Sequence, residues 1–120
     1  MARILVIDDE DSMLEILQEM LEDAGYEVVC ASDGEEGVRL YHEAPTDLIV
    51  TDIVMPKKDG VAVVWELRAD YPEAKILAMT GYDPVALPIT EQLGVVATFK
   101  KPFKMQEFLK AVRDILEERG

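Results

Sequence analysis

Five short apolar, β-branched runs punctuate the chain, and helical periodicity fills the intervals between them. This alternation constrains the fold more than any other feature. Strands that run parallel cannot be joined by a tight turn, so each needs a crossover, usually a helix. The runs are Arg3 to Ile7, Tyr26 to Ala31, Asp47 to Thr51, Lys75 to Met79 and Val95 to Phe99. In the first interval Met13, Leu14, Leu17, Met20 and Leu21 recur at helical spacing; Asp11 or Ser12 can cap this helix and Gly25 ends it. Asp33 can cap a second helix carrying Val38, Leu40 and Tyr41, which ends before Pro45. Asp59 and Gly60 open a third through Val61, Val64, Trp65 and Leu67, stopped at Pro72. A last helix carries the stripe Met105, Phe108, Leu109, Val112, Ile115 and Leu116. The interval from Gly81 to Gly94 should hold a fourth helix, but Pro84 and Pro88 both fall in it, which predicts a short, kinked or late-starting one. The expected class is α/β: one domain over residues 1–120, built on an open, doubly wound, five-stranded parallel sheet.

In such sheets, sites form along the carboxyl ends of the strands. The first run, Ile4-Leu5-Val6-Ile7, stops abruptly in Asp8-Asp9-Glu10-Asp11. Carboxylates crowded at the end of a buried strand raise one another's pKa, and a hard divalent cation such as Mg²⁺ relieves them. The third run ends at Thr51-Asp52, the fourth at Thr80-Gly81, the fifth at Lys100-Lys101-Pro102-Phe103. Asp8, Asp9, Asp52, Thr80 and Lys101 are therefore expected to meet at one edge. This group suits transfer of a phosphoryl group to a carboxylate. Asp52 would be the nucleophile, and Asp9 and Asp52 would hold Mg²⁺, with Asp8 reaching it directly or through water. Lys101 and the cation would neutralise phosphoryl oxygens, and the Thr80 hydroxyl would donate to one of them.

Composition narrows the partners. A net charge of -13 argues against direct contact with DNA or RNA, which needs Lys and Arg at phosphates, and suits basic proteins and cations. The single cysteine, Cys30, excludes an internal disulfide and fits a reducing compartment. No apolar run approaches the ~20 residues of a membrane span, and Met1-Ala2-Arg3 leads straight into the first strand without the form of a signal peptide. The expected location is the cytoplasm.

These motifs together, in order, resemble the response-regulator receiver domains of two-component signalling, the CheY-like family. The resemblance rests on Asp8-Asp9, on Asp52-Ile53-Val54-Met55-Pro56 followed by Asp59-Gly60, on Thr80-Gly81 and on Lys101-Pro102-Phe103, and it covers essentially the whole chain. It implies a flavodoxin-like strand order 2-1-3-4-5 and phosphorylation of Asp52 by a histidine kinase or phosphotransfer protein. It also implies Mg²⁺ held by Asp8, Asp9, Asp52 and the backbone carbonyl of Val54, a cis Lys101-Pro102 bond, and an output protein that binds or is released on phosphorylation. Val54 and Tyr82 would border the phosphoryl group; an apolar Val54 cannot position an attacking water, so slow self-dephosphorylation is expected. The sequence departs from the family at Thr98, where a Tyr or Phe usually stands, and strand alternation should point the neighbouring Phe99 to the opposite face.

Several residues have plainer readings. Asp11 and Ser12 read as helix caps, with Glu10 open to the same interpretation. Lys57, Lys58 and Lys100 read as solvated surface, His42 as a lone surface histidine, Cys30 as inert, and Trp65 and the methionines as packing. Three other functions compete. A haloacid dehalogenase-type phosphatase would need an acid where Val54 stands. A flavodoxin-like flavin carrier would need a phosphate loop where the acidic run lies. A receiver acting only as a docking module would not need Asp8, Asp9, Asp52, Thr80 and Lys101.

Overall fold

In a computed structural model the described residues are 2–55, 58–81 and 86–117. Strands and helices alternate: β1 Arg3–Ile7, α1 Asp11–Asp23, β2 Glu27–Ala31, α2 Gly34–Glu43, β3 Leu48–Asp52, α3 Gly60–Asp70, β4 Ile76–Thr80, α4 Ala86–Gln92, β5 Ala97–Lys100 and α5 Met105–Glu117. The strands form one five-stranded sheet in the order β2-β1-β3-β4-β5, parallel at every pairing. The expected α/β doubly wound architecture and its strand order are both present.

Side-chain alternation divides the core into two layers. Ile4, Val6, Leu48, Val50, Leu77 and Met79 point to the face covered by α1 and α5, where Leu14, Leu17, Leu21, Phe108 and Val112 meet them. Leu5, Ile7, Ile49 and Ile76 point the other way, against Val38 and Tyr41 of α2 and Val63, Val64 and Leu67 of α3. Each buried aliphatic side chain of this kind contributes about 1.5–3 kcal/mol.

Local signals end the elements where the sequence suggests, with instructive shifts. Asp33 accepts the amide of Glu36 at 2.8 Å and Asp59 that of Ala62 at 2.9 Å, so both are true caps of α2 and α3. Gly25 follows α1 at φ 98, a left-handed conformation that costs glycine little. The N-cap of α1, however, is Glu10, and Asp11 and Ser12 lie inside the helix. Three strands also run one residue further than the apolar runs suggest. The ladder pairs Asp52 with Met79 and Thr80 with Lys100, so Asp52 and Thr80 close their strands and are held by them. Helix α4 has seven described residues, Ala86–Gln92, with Pro88 among them; Pro84 lies outside the described residues. Arg68 of α3 donates to the carbonyls of Pro72, Ala74, Leu93 and Gly94, tying α3 to the entrance of β4 and the exit of α4.

Trp65 does not pack as the sequence suggests: it is 66% exposed on α3. The unbroken apolar run Val61 to Trp65 leaves the helical phase open, and Val63, Val64 and Leu67 take the face toward the sheet. His42 is exposed, as expected, but has partners. Its Nδ1 lies 2.8 Å from the Tyr71 hydroxyl and its Nε2 3.5 Å from Asp70.

Candidate functional site

The carboxyl edge of the sheet gathers most of the expected residues. Asp8 follows β1 directly; its amide continues the ladder to the Ala31 carbonyl at 3.1 Å, and its side chain is fully buried. One oxygen accepts the Glu10 amide at 2.9 Å and the other accepts the Lys101 ammonium at 2.8 Å. The same ammonium stands 3.5 Å from Asp52 and 3.6 Å from Glu10. Asp8, Glu10 and Asp52 each offer a carboxylate oxygen within 4.8 Å of the others.

Gly60 lets Asp52 be approached from behind. A Cβ there would lie 2.3 Å from the Asp52 carbonyl oxygen and 2.5 Å from the Ile53 Cα. The glycine instead brings its amide to 2.7 Å from the Ile53 carbonyl, closing the loop that follows β3. The buried Thr51 hydroxyl donates to the Asp52 carbonyl at 3.0 Å. Lys101 is set by its own amide, 2.6 Å from the Thr80 carbonyl, and by the cis Lys101-Pro102 bond that the resemblance implies.

The electrostatics follow from burial and crowding. Burial first, then the charge of Asp8, pushes the Asp52 carboxyl from 3.8 up to about 6, against the opposing pull of Lys101. Burial alone would lower the Lys101 pKa. The Asp8 hydrogen bond and the charges of Asp52, Asp8 and Glu10 outweigh it and hold the ammonium above its ordinary value. Thr80 is fully buried, and its hydroxyl is the buried side-chain polar atom without a hydrogen-bond partner among the described residues. A buried hydroxyl costs stability when it has no partner, so Thr80 is available to donate to a group at this edge.

Not every expected residue falls in the cluster. Asp9 is exposed and does not belong to the group of close carboxylates, whereas Glu10, read from sequence as a helix-terminal acid, does. Val54 lies in the loop after Asp52 with its side chain 54% exposed. Lys58 pairs with Glu66 of α3, so it is a structural partner and not free surface. Lys57 and Tyr82 lie outside the described residues. The adjacency of Glu10 to the acidic pair was its one sequence signal, and a helix cap explained it equally well.

On the far side of β5, Phe99 packs edge-on against Phe103 and Phe108, each at 5.4 Å between ring centres, within the layer shared by α1 and α5. Thr98 therefore occupies the face toward which the family's aromatic usually points, as alternation predicts.

An α/β fold of this strand order, with an acidic cluster, a buried hydroxyl and a lysine at its carboxyl edge, defines a class of signalling domain. The chain belongs to the response regulator receiver domain family, which matches residues 4–113. This receiver domain is a CheY-like, phospho-accepting signalling module of two-component phosphorelays rather than a phosphatase or flavin-carrier domain. It is 39% identical over 115 residues to the alkaline phosphatase synthesis transcriptional regulatory protein PhoP of Bacillus subtilis, covering 95% of this chain and 48% of that protein. It is 40% identical to the probable transcriptional regulator ycf27 of Guillardia theta, covering 95% of this chain and 45% of that protein. The chain thus spans about half the length of the curated relatives it matches. Among solved structures, it aligns with a CheY-like receiver domain protein from Methanospirillum hungatei at TM-score 0.93 and 26% identity, over 98% of this chain and 94% of the other. It aligns with the response regulator TrrA of Thermotoga maritima, solved with Mg²⁺ and BeF, at TM-score 0.89 and 33% identity, over 96% and 99% of the two chains. Among the described residues, no helix is long and apolar enough to cross a membrane.

Proposed function

We propose that Asp52 is the phosphoryl acceptor, that Lys101 and Thr80 bind the transferred group, and that the donor is a histidine kinase or phosphotransfer protein. The observation that carries this reading is the fully buried Thr80 hydroxyl, without a hydrogen-bond partner among the described residues, on the strand beside Asp52. An Asp52 oxygen attacks phosphorus in line with the leaving imidazole; the oxygen–phosphorus bond forms as the phosphorus–nitrogen bond breaks, and the product is an acyl phosphate. The Lys101 ammonium, already 3.5 Å from Asp52, neutralises charge on the transferred oxygens. Thr80 donates to one of them and so satisfies its hydroxyl.

The donor set fits Mg²⁺: several carboxylate oxygens crowd one edge with Lys101 as their shared cation, and a hard ion prefers such oxygen ligands. Asp8, Asp9, Asp52 and the Val54 carbonyl are the proposed holders, with Glu10 alongside. When bound, Mg²⁺ supplies charge neutralisation at the phosphoryl oxygens. We assign the protein to the cytoplasm, and its output to a protein partner and not to nucleic acid bound by this domain. With Thr98 where the family usually has a Tyr or Phe, and Phe99 packed against Phe103 and Phe108, activation is read out at α4, β5 and α5 without an aromatic side chain of β5 changing face. Structures with and without a phosphoryl mimic test this, and a Phe99 that changes face refutes it. Mass spectrometry after treatment with acetyl phosphate and Mg²⁺ tests the acceptor. The adduct should map to Asp52, and an adduct elsewhere overturns the assignment.

A further inference from the structure

Glu10 occupies the N-cap of α1 but makes no side-chain capping bond there. Its backbone amide is spent on Asp8, while its carboxylate, 61% exposed, reaches to 3.6 Å from the Lys101 ammonium. A capping hydrogen bond therefore does not account for the side chain. What it touches is the cation that the reaction needs. One ammonium is shared by Asp8, Asp52 and Glu10, and of the three carboxylates only that of Glu10 stands at the solvent side. A phosphodonor that approaches Lys101 therefore comes close to this charge.

We propose that Glu10 is a specificity-determining residue for small phosphodonors: its carboxylate, beside Lys101, opposes the approach of anionic donors and discriminates against those of higher net negative charge. The inference rests on Asp52 being the acceptor. With acetyl phosphate, the Asp52 oxygen–phosphorus bond forms and the phosphorus–oxygen bond to acetate breaks, acetate leaving with the electron pair. With phosphoramidate, the phosphorus–nitrogen bond breaks and ammonia leaves from an already protonated nitrogen. Near neutral pH both donors carry the same doubly charged phosphoryl group, but the protonated nitrogen of phosphoramidate brings its net charge to that of a monoanion, so the Glu10 charge opposes acetyl phosphate more strongly. The same carboxylate, within 4.8 Å of Asp8 and Asp52, adds to the attraction for a divalent cation.

The test compares the wild-type chain with Glu10→Gln and Glu10→Asp in saturating Mg²⁺, reading initial rates of Asp52 labelling with each donor. Glu10→Gln should label about threefold to tenfold faster with acetyl phosphate and only about twofold to threefold faster with phosphoramidate, the smaller factor expected for half the net donor charge. Glu10→Asp, which keeps the charge, should follow the wild type. The difference should close in about 1 M salt, where the screening length is about 3 Å. Calorimetry without any donor should show Mg²⁺ binding weakened about threefold to tenfold in Glu10→Gln. Equal effects on both donors, no effect on either, a Glu10→Asp rate matching Glu10→Gln, or unchanged Mg²⁺ affinity would overturn the proposal. A wild-type chain that labels at another residue overturns the acceptor assignment instead, so the two failures are distinguishable.

Discussion

Lys101 and Asp8 stand 93 residues apart in the sequence, and their side chains meet at 2.8 Å. The carboxylate has no exposed surface and the ammonium side chain is 12% exposed, so each is the other's main compensation for lost hydration. Lys101→Met should leave Asp8 buried without a cation and cost about 3 kcal/mol in EDTA at neutral pH. Urea melts with and without Mg²⁺ check this, with the divalent ion recovering much of the loss. Labelling at Asp52 should fall at least about tenfold.

Asp52 reports on pH with the opposite sign to a salt-bridged acid. Its carboxyl titrates at about 6 in the fold against an ordinary 3.8. Protonation is therefore favoured in the native state, and the stability that it contributes is lost as pH rises from about 4 through about 6. Asp52→Asn should flatten that window and, in EDTA at pH ~8, be more stable than the wild type by about 2–3 kcal/mol. A melting temperature for the variant below the wild type's under those conditions contradicts the electrostatic account. The same variant should take no label from acetyl phosphate.

Thr80→Val separates function from stability. The hydroxyl it removes is buried and has no partner among the described residues, so the metal-free protein should be unchanged or more stable by up to about 1 kcal/mol. Phosphorylation should suffer, because the donor to a phosphoryl oxygen is gone. A loss of ~2 kcal/mol in chemical denaturation would mean that the hydroxyl has a structural partner.

Gly60→Ala should be costly out of proportion to one methyl group. Its Cβ would meet the Asp52 carbonyl oxygen at 2.3 Å, which is backbone and cannot rotate away. A destabilisation of about 2 kcal/mol or more is expected, together with slower labelling as Asp52 is displaced. Thermal melts and labelling rates read both effects.

Much of the fold is legible locally. The caps at Asp33 and Asp59 depend on a side chain reaching an amide three residues on. The α1 cap is not legible in this way. The Asp8 carboxylate takes the Glu10 amide, so the helix begins one residue earlier than a cap at Asp11 would give, and Glu10 faces Lys101. Trp65 illustrates a second limit: five consecutive apolar positions carry no phase, and only packing against β-strand neighbours decides which of them are buried. His42 illustrates a third, since its Tyr71 partner lies 29 residues away.

The sequence by itself determined the alternation of strands and helices and the residues that reach the carboxyl edge, because both depend on periodicity and on where apolar runs stop. Only the tertiary structure decided which carboxylates share Lys101. Three acids in the run that follows β1 are chemically near-equivalent on paper. The ladder buries Asp8, the chain's exit turns Asp9 to solvent, and the start of α1 swings Glu10 back over the site. Distances of a few ångströms between groups far apart in the chain set their charges, and no local pattern encodes them.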